Sequence, residues 1–391
     1  LKRVKHNIGR IEYLLTLYQM SEGELLSRIS EGLKNPITKD QIWADEIKIS
    51  HLKRIDKLFD KGISFFLDPS PLPESKEASI FFRKTELGEQ LNFEAKKIVH
   101  QFEENKFSIF ATARLADFRF DRILKTYSTE DDPKETAHTI RQILQPRFRK
   151  NSRDYLKELI KVMADQNILV LEFVEHHQKK EKVNIDGFFL KPNVIVIKRQ
   201  QKYLEREIFT LIHELGHYLL DEEVAEQVVY DHMTDITAVS HAERWCNEFA
   251  YHFLIGEWDK KLMQIGFDDE TSPLHSPEIS DISSKTHLSK TALLTRLRIL
   301  NRISSETYFT FKQQVKNAIR QQEEKEKIER ELKKELGIPS YGRTPVPIRS
   351  PLLISAYQKA YLEGVINEYE FCQKLNIKSE KFDQYAYESS D

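Results

Sequence analysis

The sequence predicts an α+β chain, rich in helix and holding one small sheet. Three observations carry this. Apolar residues recur at helical spacing over most of the length. Residues 152–256 read, in order, as helix, strand, strand, strand, helix, helix. The 12 Gly and 13 Pro are few for 391 residues, which disfavours collagen-like, linker-like and loop-dominated chains. At roughly 150 residues per domain, the length fits two or three domains.

Residues 1–68 read as short helices. Ile8, Ile11, Leu14, Leu15 and Tyr18 share a helical face, and Ser21 with Glu24 forms a capping-box signature at the next helix. A further helix, HLKRIDKLFDKG, ends at Gly62, and Pro69, Pro71 and Pro73 then mark a boundary. Residues 79–150 predict one strand, SIFFRK, and a helical connector from about Phe93 through Phe118. The helix SRDYLKELIKVMADQ precedes three β-branched or aromatic runs, ILVLEFV, VNIDGFFL and NVIVIK. REIFTLIHELGHYLL and AERWCNEFAYHFLIG are helices. Two short helices around a turn near Thr286–Ser289 complete a unit at residues 151–305. A charged helix within residues 306–336 shows Glu323–Lys327, Glu326–Arg330 and Glu329–Lys333 at i,i+4, the mark of a solvated or bridging helix. A Pro-rich connector leads to a separate helical tail at 350–391.

Charge excludes one broad class. Lys plus Arg number 60 and Asp plus Glu 62, a net charge of −2, so global charge does not drive nucleic-acid binding. Two cysteines, Cys246 and Cys372, cannot staple a chain of this length and fit a reducing compartment. No apolar run is long enough to span a membrane, and the basic N-terminus lacks the apolar core of a signal peptide. The expected location is the cytoplasm.

The chemistry concentrates in His213, Glu214 and His217. On a helix, positions i and i+4 share a face, so two imidazoles one turn apart can grip one metal ion. Glu214 lies beside the first ligand, within reach of a metal-associated water; this is the HExxH arrangement of zinc peptidases. Chance produces such a box in a chain of this composition with a probability of roughly 4%. The competing structural reading is a buried helix with two satisfied core histidines. Against it stand the apolar frame from Ile208 to Leu220 and Gly216, which costs about 1 kcal/mol in a helix interior and implies close packing against the sheet or the metal site. A catalytic zinc needs a third protein ligand and an open position. Glu243 at the start of the next helix is one candidate; His241, His232 and Asp235 are its rivals on spacing alone.

The run IDGFFLKPNVIVIKRQQKYLEREIFTLIHELGHYLL, followed by ERWCNEFAYHFLIG, resembles the ImmA/IrrE family of metallopeptidases. The residues that carry the likeness are Gly187, Arg206, Phe209, Thr210, the His213–His217 box, Glu243, Asn247, Phe249 and Ala250. The resemblance covers about residues 165–305 and implies a zincin-like core with Zn2+ held by His213, His217 and Glu243. One departure is Gly256, where the family usually ends this helix with Pro. The N-terminus resembles longer members that begin with a helix-turn-helix of the Xre repressor type. Yet ITKDQIWADEIK, where a recognition helix should fall, carries Asp40, Asp45 and Glu46 against Lys39 and Lys48, and so looks degenerate for DNA. The later element resembling the family's post-core helices holds Lys285, Lys290, Arg296, Arg298 and Arg302, and reads as a packing module with a wet basic face.

Glu214 is then the expected general base, moving a proton from water to the leaving amine. Tyr251 and His252 are candidate oxyanion donors, as are His241 and His232. NVIVIK is the expected exposed edge for an incoming peptide. By resemblance, the expected function is a narrow protease acting on a regulatory, repressor-like protein in a stress or mobile-element response. The alternative is an antitoxin or regulator that binds a cognate toxin or DNA, with a non-catalytic metal site.

Overall fold

The computed structural model describes residues 2–70, 91–175, 181–199, 204–223, 225–227, 240–265, 276–337 and 345–387. Two compact units emerge, Leu1–Asn105 with Glu181–Ile185, and Lys106–Lys180 with Asp186–Asp391. The division differs from the boundaries read off the sequence. It falls inside one continuous helix, where composition gives no signal. The charged helix and the C-terminal helices group with the peptidase-like segment. The expected strand SIFFRK lies outside the described residues.

In the first unit, β1 (Arg3–Lys5) is followed by α1 (Ile8–Leu17), α2 (Glu22–Ser30), α3 (Lys39–Ile42), β2 (Glu46–Lys48), α4 (Ile49–Phe59) and α5 (Ile63–Leu67). Ile11, Leu14, Leu25, Ile42, Ile47, Leu52, Ile55 and Phe66 form its wholly buried core. The Ser21 hydroxyl accepts the Glu24 amide at 3.1 Å, while the Glu24 carboxylate accepts from Arg28 at 2.9 Å. The segment expected to hold a recognition helix folds instead as the four-residue α3 and the strand β2, which pairs antiparallel with β1. Ile47 is buried in that ribbon and sets its register, so this stretch cannot be one long helix.

α6 (Phe93–Leu115) leads to α7 (Pro133–Leu144) and α8 (Ser152–Ala164). Asp132 and Asn151 cap the last two, each accepting two amides of the first turn. Then come β3 (Leu169–Val174), β4 (Ile185–Leu190), β5 (Val194–Arg199), α9 (Leu204–Leu220), β6 (Ala225–Gln227), α10 (His241–Ile255), α11 (Trp258–Met263), α12 (Pro277–Thr286) and α13 (Lys290–Ile299). The sheet order is β3-β5-β4-β6. β5 runs parallel to β3 (Leu169 opposite Val194) and antiparallel to β4 (Phe189 opposite Ile195).

This corrects the expectation for NVIVIK. β5 is an interior strand, hydrogen-bonded on both sides and buried at every residue, so no peptide can add to it. Its unbroken apolar run signals burial on both faces rather than a free edge.

The second unit continues with α14 (Ser305–Glu335), which begins well before the charged stretch because Tyr308 and Phe311 are buried. Of its expected i,i+4 pairs, Glu329–Lys333 closes at 2.6 Å. The chain ends in α15 (Pro351–Leu362), α16 (Glu368–Leu375) and α17 (Phe382–Ala386). Arg349 binds the carbonyls of Leu375 and Asn376, at 2.7 Å each, and ties the approach to α15 onto the end of α16. The amide of Ile348 donates to the buried Glu172 on β3, whose carboxyl burial pushes up to about 7. No described helix is long and apolar enough to cross a membrane.

His100 on α6 sits 3.3 Å from Glu104 and 3.7 Å from Glu103. Burial works against its charged form, but the two carboxylates outweigh burial and the nearby Lys61, so its pKa is raised. A raised imidazole pKa stabilises the fold fully below the unfolded value and less as pH rises through the folded value. His100→Gln should therefore cost more stability at pH 6 than at pH 8. The difference should be up to about 1 kcal/mol, the range of partly exposed ion pairs, read from urea unfolding at both pH values.

Candidate metal centre

α9 carries the HExxH box because its inward face is apolar along its length. Ile208, Leu211, Ile212, Leu215 and Leu219 are buried in the core that includes Phe189, Ile195 and Ile197 of the sheet. Its first turn is lashed to the strands by two ion pairs, Arg206 to Asp186 on β4 and the fully buried Arg199 of β5 to Glu207. Its last carbonyls are capped from the preceding segment. Arg122 donates to the Tyr218 carbonyl with its guanidinium 3.9 Å from that ring, and the Tyr127 amide reaches Leu219 at 2.9 Å. A helix tied at both ends holds His213 and His217 in place.

α10 supplies the third donor. The Ser240 hydroxyl accepts the Glu243 amide at 3.1 Å and starts the helix two residues before Glu243. Trp245 stacks on Phe249 and donates to the Asp131 carbonyl at 2.7 Å. α9 and α10 then meet at Gly216. A Cβ there would lie 3.0 Å from Cys246 Sγ and 3.2 Å from its Cα. The glycine, expected to pack against the sheet or the metal site, packs against the neighbouring helix that carries Glu243, and this contact sets how near Glu243 comes to the imidazoles.

The three donors converge. His213 Nε2 is 3.1 Å from His217 Nε2 and 3.2 Å from Glu243 Oε2, and His217 Nε2 is 3.3 Å from Glu243 Oε1. His213, Glu214 and His217 are wholly buried. Burial lowers the His217 pKa against the opposing pull of Glu243. Burial would raise the Glu243 carboxyl, but its close contacts with His213 and His217 outweigh it and hold the group well below the usual carboxylate range. Two imidazoles and an ionised carboxylate thus crowd around one point, which a cation neutralises. Donors about 2.0–2.2 Å from a tetrahedral zinc lie roughly 3.3 Å apart. The observed spacings match, and among the described residues this trio is the group able to hold a metal.

Residues 164–297 match the family described as the IrrE N-terminal-like domain, a peptidase family. This segment is an IrrE N-terminal-like domain. No curated protein and no solved structure matches the chain. The IrrE-like domain runs from the end of α8 to α13 and contains the sheet, the HExxH helix and the Glu243 helix. Its family is one of metallopeptidases.

The other site residues expected from sequence are distributed as follows. His241 is the exposed first residue of α10, and His232 and Asp235 lie outside the described residues. The Tyr251 hydroxyl donates to Asp259 at 2.6 Å beneath Arg296, and burial with Asp259 pushes its pKa up. His252 Nε2 lies 3.5 Å from Glu248 and 3.4 Å from Arg296. The polar contacts of Tyr251 and His252 thus run to α10, α11 and α13, not to the three donors. Arg296 pairs with Glu248 on α10, Lys285 pairs at the surface with Asp281 at 2.9 Å, and the exposed Arg302 donates to the Met263 carbonyl at 2.8 Å. Gly256 has φ +51°, which proline's fixed negative φ forbids; this explains the departure at the end of α10.

Two contributors lacked a role in the sequence reading. Gly187 on β4 clears the space for the catalytic-type carboxylate: a Cβ there would lie 2.7 Å from Thr210 Cγ2 and 3.0 Å from Glu214 Oε1. Asn247, one helical turn after Glu243, places Oδ1 3.1 Å from His213 Nδ1. The E-x-x-x-N spacing was the available signal.

The two glycines predict separable defects. Gly187→Ala should cost about 1–3 kcal/mol by overpacking and displace Glu214, with metal uptake near wild type. Gly216→Ala should push α10 away and weaken metal uptake. Urea unfolding and metal content after dialysis distinguish the two.

Proposed function

We propose that this chain is a zinc-dependent endopeptidase of narrow specificity, acting on a regulatory, repressor-like partner protein. The observation that carries this is the meeting of His213, His217 and Glu243 at tetrahedral-edge spacing with Glu214 as neighbour. Zinc held by these three would supply Lewis acidity to the scissile carbonyl and to the attacking water.

The protein's own groups do the rest. The Glu214 carboxylate, held against the β4 backbone at Gly187, accepts a proton from the attacking water and returns it to the departing amine nitrogen. The sheet offers peptide-sized edges at β3 and β6 rather than at β5. Of the three donors, Glu243 alone retains side-chain exposure, at 21%, so the centre opens in a restricted way, which supports selection of an extended segment over general proteolysis. The repressor-like identity of the partner rests on the family resemblance.

Glu214→Gln should keep zinc and lower cleavage roughly 100- to 10,000-fold, the usual size of a general-base contribution. His217→Ala should lose the metal itself. Metal analysis of the purified proteins, with co-expression alongside products of neighbouring genes, reads both. Cleavage that persists in Glu214→Gln would refute the assignment.

A further inference from the structure

We propose that Asn247 is a positioning residue that sets the tautomer of His213 and thereby its ability to bind the ion. The inference rests on the zinc reading above. Asn247 Oδ1 lies 3.1 Å from His213 Nδ1. A carbonyl oxygen only accepts, so the ring must donate from Nδ1. A neutral imidazole carries one proton. With that proton on Nδ1, the Nε2 lone pair faces His217 Nε2 at 3.1 Å and Glu243 Oε2 at 3.2 Å. The opposite tautomer would put a hydrogen atom where the ion must sit.

The placement follows from helix geometry. Glu243 and Asn247 are four residues apart on α10 and share a face. One face of one helix therefore supplies both a ligand and the group that orients a ligand on the neighbouring helix. The Ser240 cap and the Gly216–Cys246 approach fix both together. The two imidazoles are not equivalent: His217 Nδ1 has no hydrogen-bond partner among the described residues. Asn247 thus acts on one ring, and it acts without touching the ion. Partners of this kind are typically worth 10- to 100-fold in metal affinity.

The test uses the full chain and zinc alone. Zinc dissociation constants are measured by chelator competition at fixed pH for wild type, Asn247→Leu and Asn247→Asp. Nitrogen-15 spectra of histidine-labelled, metal-free protein report which nitrogen of His213 carries the proton, with assignment by loss of the signal in His213→Gln. Asn247→Leu should weaken zinc roughly 10- to 100-fold and move the proton towards Nε2. Asn247→Asp keeps an acceptor and should retain both affinity and tautomer. The proposal is overturned if Asn247→Leu binds zinc like wild type, if Asn247→Asp loses as much as Asn247→Leu, or if the His213 tautomer is the same in all three. Should wild type take up no zinc, the metal reading fails, while the nitrogen spectra still decide the tautomer.

Discussion

Two imidazole nitrogens and one carboxylate are held within about one hydrogen-bond length of each other, and the architecture around them exists to keep them there. Such a cluster is electrostatically unfavourable without a cation, because its electron-rich atoms face inward and are removed from water. It persists only because each donor sits on an element with no freedom to turn aside. α9 is tied to β4 and β5 by ion pairs at its start and capped by Arg122 at its end. α10 is anchored by the Ser240 cap, the Trp245 hydrogen bond and the Gly216–Cys246 contact. Remote residues that touch no ligand therefore decide where the ligands point.

The sheet serves the same end. β4 presents a glycine to α9, and that missing side chain is the space Glu214 occupies. β5 lies between β3 and β4 and is buried on both faces, so it acts as the floor of the core rather than as a docking edge. An interior strand also resists distortion, because its ladder is paired on both sides; this suits a platform beneath a helix whose side chains must hold sub-ångström positions. Of the basic residues on the later helices α12 and α13, Arg296 turns to Glu248 on α10, while Lys285 pairs with Asp281 at the surface of α12.

The first unit has a core of its own and none of the three metal donors. Its two-stranded ribbon and the single-turn α3 occupy the place where a groove-reading helix was expected. A helix of four residues spans about 6 Å, much less than base recognition by a helix face needs. The acidic residues that made this stretch look unsuited to DNA and the apolar Ile42 and Ile47 that fold it into turn and strand are parts of the same pattern.

The sequence by itself determined what depends on local period. Four-residue spacing put His213 and His217 on one helix face, β-branched and aromatic runs marked strands, and Ser21 with Glu24 marked a helix start. Only the tertiary structure decided what depends on partners far along the chain. It brought Glu243 to the imidazoles while leaving the nearby His241 exposed, because the cap and the helix crossing fix the phase of α10. It put β5 in the middle, because strand order follows from a parallel pairing with β3 that no local signal encodes. It gave Gly187 and Asn247 their roles, since an empty volume and a ring orientation exist only once two elements are packed together.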